Sequence, residues 1–235
     1  MKQMSVLTGD INSSTTIGRQ KSRKLERTLR NSFLDLRENL PQIQADHFTC
    51  FRGDAWQFVV GRAEESAIAA VYFQASLVVH SRRELGVQLK SAIAIGFGSI
   101  EFFPDEISSA GGGEAYRLSG KGLDRIRRRI PGMNFTGLGE ADASISVVLG
   151  LTDALVHRWT SSQAQAVCYA LTGLTQNEIA ARWKPEAVSQ QAIHKHLQNA
   201  GWPAIEPALS WINTTIYSCI CENNHLNEDT GKKLK

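Results

Sequence analysis

No run in these 235 residues is long and apolar enough to cross a bilayer, and the opening MKQMSVLTGDINSS lacks the apolar stretch of a secretory leader. A cytoplasmic chain with no membrane partner is the expectation. Cysteine is scarce and poorly spaced for cross-linking. Cys50 and Cys168 stand alone, and Cys219 and Cys221 form a C-x-C pair with no second ligand pair nearby, which excludes a disulfide framework and a zinc knot. An excess of one charge is also missing: 26 Lys and Arg against 23 Asp and Glu leave +3. Whole-surface attraction to nucleic acid does not follow from that balance, so any such attraction must come from local clustering.

Apolar residues are not lacking, at 42%, enough to bury a core in one large domain or two modest ones. Ser5 to Gly9 reads as a buried strand that delivers Asp10 to a polar loop, Asn12, Ser13 and Ser14. Leu25, Leu29, Phe33, Leu36 and Leu40 recur at helical spacing until Pro41. HFTCFRGDAWQFVVG then suits two strands meeting at a tight turn around Gly53 and Asp54. A helical pattern from Ala63 to Leu85, the strand LKSAIAIGFGSIEFF and a third helix opened by AGGG follow. This order predicts an α+β layer architecture over residues 1–139, with IPGMNFTGLGE as a loop. Residues 140–222 read as all-helical, and 223–235 as a polar, flexible tail.

Two carboxylates on adjacent strand ends are the arrangement that a nucleoside triphosphate with Mg2+ or Mn2+ calls for, because the cation needs hard oxygen ligands that do not crowd the phosphates. Asp10 and Asp54 are the candidate metal ligands. Asn12, Ser13 and Ser14 are the candidate nucleotide-binding residues, since small side chains leave main-chain N–H groups open to phosphate. Each aspartate also has an everyday alternative, Asp10 as a helix cap and Asp54 as a turn residue.

TGDINSS, followed after one long helix by RGDAWQFVV, resembles the paired metal-binding aspartate motifs of class III nucleotidyl cyclases. The block GGGEAYRLSGKGL is similar to the cyclase segment that presents an Asn and an Arg from a helix, one to ribose and one to the developing phosphate charge. Arg117 and Lys121 occupy those two places and are the candidate catalytic pair. Arg cannot accept a hydrogen bond as Asn does, and Lys lacks the fork of Arg. Diguanylate cyclases share the strand-turn-strand motif but carry Glu where this chain has Ala55. The fuller resemblance, from Val6 to about Ile212, is to the SatD-like family. It implies a ferredoxin-like, cyclase-like palm followed by a helix-turn-helix; class III cyclases further imply a site assembled across a homodimer.

The second half carries its own pattern. TSSQAQAVCYALTG begins with Thr160 or Ser161 as a cap, and Thr175 with Glu178 three residues on forms a capping box. In VSQQAIHKHLQNAGW, the residues Val188, Ala192, Ile193, Leu197 and Ala200 predict an inward face. Ser189, Gln190, Gln191, His194 and Lys195 are then the candidate DNA-binding residues, polar and set toward the start of a recognition helix. Pure protein contact is the alternative for this unit. His194 and His196, at i and i+2, point to no metal. Arg125, Arg127, Arg128 and Arg129 form a local positive patch, open to phosphate, DNA or plain solvation of a helix end. The leading functional expectation is a DNA-binding regulator with a nucleotide-sensing or dimerising palm. The alternative is a Mg2+-dependent nucleotidyl cyclase or related enzyme targeted by its helix-turn-helix.

Overall fold

A computed structural model describes residues 3–11, 22–51, 53–104, 111–126 and 132–232. Its central strand, β1 (Gln3–Ile11), is paired antiparallel on both sides, with β3 (Ala55–Val60) and β4 (Ser91–Phe102). Helices cover both faces of this sheet, so successive residues such as Val6 and Leu7 are both buried. That explains an unbroken run of buried residues from Met4 to Gly9 where a half-exposed strand would alternate.

β2 (Ala45–Phe51) forms a hairpin with β3, and Gly53 supplies the left-handed conformation (φ 87°) that the turn requires. The order across the sheet is β2-β3-β1-β4-β5, where β5 is Gly112–Gly113. With α1 (Ser22–Asn39) and α2 (Ser66–Leu85) as the two crossovers, this is the split β-α-β arrangement of ferredoxin-like α+β domains. One element differs from the sequence expectation. β6 (Met133–Thr136) lies within the segment read as a loop and pairs in parallel with β4, from Ile93↔Met133 to Gly96↔Thr136. Four residues between glycines are too short to show a period.

The face of the sheet toward α1 and α2 holds an aromatic cluster: Phe33 stacks on Phe48 at 4.9 Å, and Trp56 and Phe58 lie against Phe73. Trp56 meets its polar need by donating from Nε1 to Ser91 Oγ at 3.0 Å. The opposite face is covered by α3 (Glu114–Ile126), through Ala115 and Tyr116 against Val6 and Ile100, and through Leu123 and Ile126 against Ala92 and Ala94.

After β6 the chain is helical: α4 (Ala141–Val156), α5 (Ser161–Leu171), α6 (Gln176–Arg182), α7 (Gln190–Ala200) and α8 (Trp202–Lys232). α8 continues through residues 223–232, where the sequence reading set a polar tail. Thr160 and Thr175 each close a capping box, with Gln163 and Glu178. The buried cluster does not divide where strands give way to helices. It runs from Leu7 and Phe73 through Val78 to Val167, Ile193 and Ile212. α2 is the shared element, packed on the sheet side and against α5, with buried residues around its whole circumference. Among the described residues no helix is long and apolar enough to cross a membrane, and all four cysteines are free.

Candidate functional site

Asp10 stands near the end of β1, in register with Ala55 of β3 and Ala92 of β4. One residue on, the Ile11 N–H donates to the Asp54 carbonyl at 3.2 Å, which holds the β2-β3 turn against the end of β1. The two aspartates therefore lie on adjoining stretches of backbone at one end of the sheet, both partly exposed. Alternation along β1 places Asp10 on the face of Val6 and Thr8, the face that α3 covers.

A buried polar chain fixes the strand just before Asp10. Gln57 Nε2 donates to Thr8 Oγ1 at 2.7 Å, and Ser119 Oγ donates to the Tyr116 carbonyl at 3.0 Å. In the remaining 2.8 Å contact between the Thr8 and Ser119 hydroxyls, Thr8 is thus the donor, and each hydroxyl accepts one bond and donates one. Sequence reading missed Thr8, Gln57 and Ser119. A polar residue inside an apolar strand leaves no periodic signal, although Thr8 beside Gly9-Asp10 was a local hint.

The rest of the expected site is spread more widely. Arg117 and Lys121 lie one turn apart and exposed on α3, opposite its buried face. Arg117 lines a concavity with Phe51, Gln57, Glu101, Gly113 and Tyr116, which includes neither Asp10 nor Asp54. The Tyr116 hydroxyl is buried there without a hydrogen-bond partner among the described residues, and burial pushes it up to about 12. Asn12, Ser13 and Ser14, and Arg127 to Arg129, lie outside the described residues.

Does the carboxylate pair suit a cation? Its donors are hard oxygens on two adjacent strand ends, with no Cys or His among them, which fits Mg2+ or Mn2+ and not zinc. Among the described residues there is no group of three or more metal-ligating side chains.

The second expected site lies on α7. Ser189 caps the helix, accepting from the Ala192 N–H at 3.2 Å. Gln190, Gln191, His194 and Lys195 are all exposed, while Ile193, Leu197 and Ala200 are buried. Gln190 Nε2 donates to Gln176 Oε1 at the start of α6, tying the two helices together at their exposed ends. His196 instead stacks on Trp183 at 5.5 Å, so the two histidines do not share a site.

No family model matches this chain, and no curated protein matches it, so the SatD-like resemblance stands on its motifs. Solved structures do. A bacterial light-regulated adenylyl cyclase is 15% identical over 57% of this chain and 75% of that one, with a TM-score of 0.39. The monomeric guanylyl cyclase domain of the RhoGC fusion protein from the aquatic fungus Blastocladiella emersonii is 16% identical over 52% and 75%, with a TM-score of 0.38. The guanylyl cyclase Cya2 is 18% identical over 57% and 74%, with a TM-score of 0.37.

Proposed function

We propose that this chain is a DNA-binding regulator whose palm binds a nucleoside triphosphate together with Mg2+ or Mn2+ at Asp10 and Asp54. The observation that supports the reading is the Ile11 N–H to Asp54 carbonyl bond, which brings the backbone stretches carrying the two aspartates together at one end of the sheet. A cation held there supplies positive charge for triphosphate oxygens that two carboxylates alone would repel. The chain's own part is to hold the pair: Gln57, Thr8 and Ser119 pin β1 to α3 immediately before Asp10. DNA is contacted by the exposed end of α7, where Ser189, Gln190, Gln191, His194 and Lys195 present donors and acceptors suited to base edges and phosphates. A two-fold dimer would match a palindromic operator.

Calorimetric titration with each of the four ribonucleoside triphosphates, with Mg2+ or Mn2+, tests the palm. Binding by the wild type that weakens at least about tenfold in Asp10→Asn and Asp54→Asn is the expected result. A wild type that binds none of the four sinks the reading. For DNA, affinity for a mixed-sequence duplex should fall with salt, and Lys195→Ala should lower the log–log slope by about one.

A second reading, a nucleotidyl cyclase, is favoured by the exposure of Arg117 and Lys121 on one face of α3, where they could offset phosphate charge at a site completed by another chain. Chromatography of triphosphate incubations separates the two readings. Cyclic nucleotide or pyrophosphate made by the wild type and lost in Asp54→Ala establishes catalysis; no product from any triphosphate removes it.

A further inference from the structure

α4 buries Ile145, Leu149, Thr152, Asp153 and Val156. Opposite them Glu140, Ser144, Val147, Leu151, Ala154 and Arg158 are all exposed, at alternating spacings of four and three residues. That is the spacing of a helix-packing seam, and among the described residues none covers it. Val147 is 63% and Leu151 67% exposed, the two most exposed large hydrophobic residues among those described.

The stripe is its own complement. Leu149 marks its centre, with Val147 and Leu151 two residues to either side, Ser144 and Ala154 five, and Glu140 and Arg158 nine. Two copies of α4 laid antiparallel across a two-fold axis therefore set Val147 beside Leu151 of the partner subunit, Ser144 beside its Ala154, and Glu140 beside its Arg158. Among the described residues neither Glu140 nor Arg158 has an ion pair or side-chain hydrogen bond within the chain. A parallel pairing would instead oppose Glu140 to Glu140 and Arg158 to Arg158, so charge selects the antiparallel one.

α8 runs antiparallel beside α4: Gly201, just before its start, packs close to Leu155, and Asp142 acts electrostatically on Cys219. Trp211, 43% exposed, stands about midway along α8 between those two points.

We propose that a second copy of this chain docks on this stripe, α4 against α4 in antiparallel two-fold symmetry. The surface is separate from Asp10, Asp54 and α7, so the inference holds whatever those residues bind.

Sedimentation equilibrium of the full chain tests it, with circular dichroism as the control for folding, which these exposed positions should not disturb. The wild type should be a dimer, and Leu151→Glu should raise its dissociation constant at least about tenfold, the scale of a central interface residue. Glu140→Arg should also weaken the dimer, and Glu140→Arg combined with Arg158→Glu should recover it. A wild type that is monomeric at its highest soluble concentration overturns the proposal, as does a Leu151→Glu variant that dimerises normally. A double reversal no tighter than the single one overturns the antiparallel pairing.

Discussion

Gly96 shows how closely single residues are fitted around the candidate site. A Cβ there would lie 2.4 Å from both the Ala115 carbonyl oxygen and the Ser119 nitrogen, so α3 rests on β4 backbone to backbone. Neither of those atoms can swing aside as a side chain would. Gly96→Ala should therefore destabilise the fold by about 1–3 kcal/mol, the usual cost of overpacking, measured by urea unfolding. The same shift should loosen the Thr8 to Ser119 contact that fixes β1 before Asp10, so triphosphate affinity should fall with stability. An alanine variant as stable as the wild type would mean that α3 is not held against β4 at this point. The neighbouring polar chain gives an independent check: Thr8→Val removes the acceptor of the buried Gln57 amide, an unsatisfied donor that costs about 1–3 kcal/mol.

Among the elements, α1 and α2 are joined by a small charged network. Glu84 accepts from Thr28 Oγ1 at 2.9 Å and Asn31 Nδ2 at 2.8 Å, Asp35 accepts from Ser76 Oγ at 2.7 Å, and His80 lies between the two carboxylates. Burial pushes both acids up, but hydrogen bonds outweigh it: Asn31 and Thr28 bring Glu84 below its ordinary value, and His80 and Ser76 do the same for Asp35. A depressed native value means that the unfolded chain takes up protons first as pH falls. Stability is thus fully present above the ordinary carboxylate range, about pH 5, and is lost as pH drops through it toward the native values. Denaturant unfolding across that range should show the decline, and Glu84→Gln should flatten it. An unchanged slope in that variant would place the acid sensitivity elsewhere. How far these elements were legible from the sequence depended on local signals. Thr160 and Thr175 announced α5 and α6 through caps that the structure retains, and the Gly53-Asp54 turn announced its hairpin. β6 announced nothing, because its four residues are held by parallel pairing to β4, more than thirty positions earlier. That the Asp10 strand end and the Asp54 turn adjoin was readable; the polar chain behind them was not, since it depends on side chains brought together from three elements.

For the whole molecule, the decisive feature is α2. A helix with one exposed face would separate sheet from helical half, but α2 is buried around its circumference over most of its length because it contacts both. Trp159 adds a second tie within the helical half, 1% exposed and donating from Nε1 to the Ala200 carbonyl at 2.8 Å, which links the end of α4 to the end of α7. A continuous core of this kind should unfold in one cooperative transition, with the sheet and the α7 region lost together. It also provides the physical route by which the palm could influence DNA binding. A ligand that binds only the folded state stabilises it by about 2.7 kcal/mol at one hundred times its dissociation constant. If the core is one cooperative unit, that gain reaches amides that open only by global unfolding in α5 and α7 as well as in β1 and β4. Hydrogen exchange with and without Mg2+ and the triphosphate that binds should therefore show slower exchange in α7. Protection confined to the sheet, α1 and α3 would show that the helical half opens independently, and the proposed nucleotide occupancy at Asp10 and Asp54 would then have no route through the core to the proposed DNA-binding surface of α7.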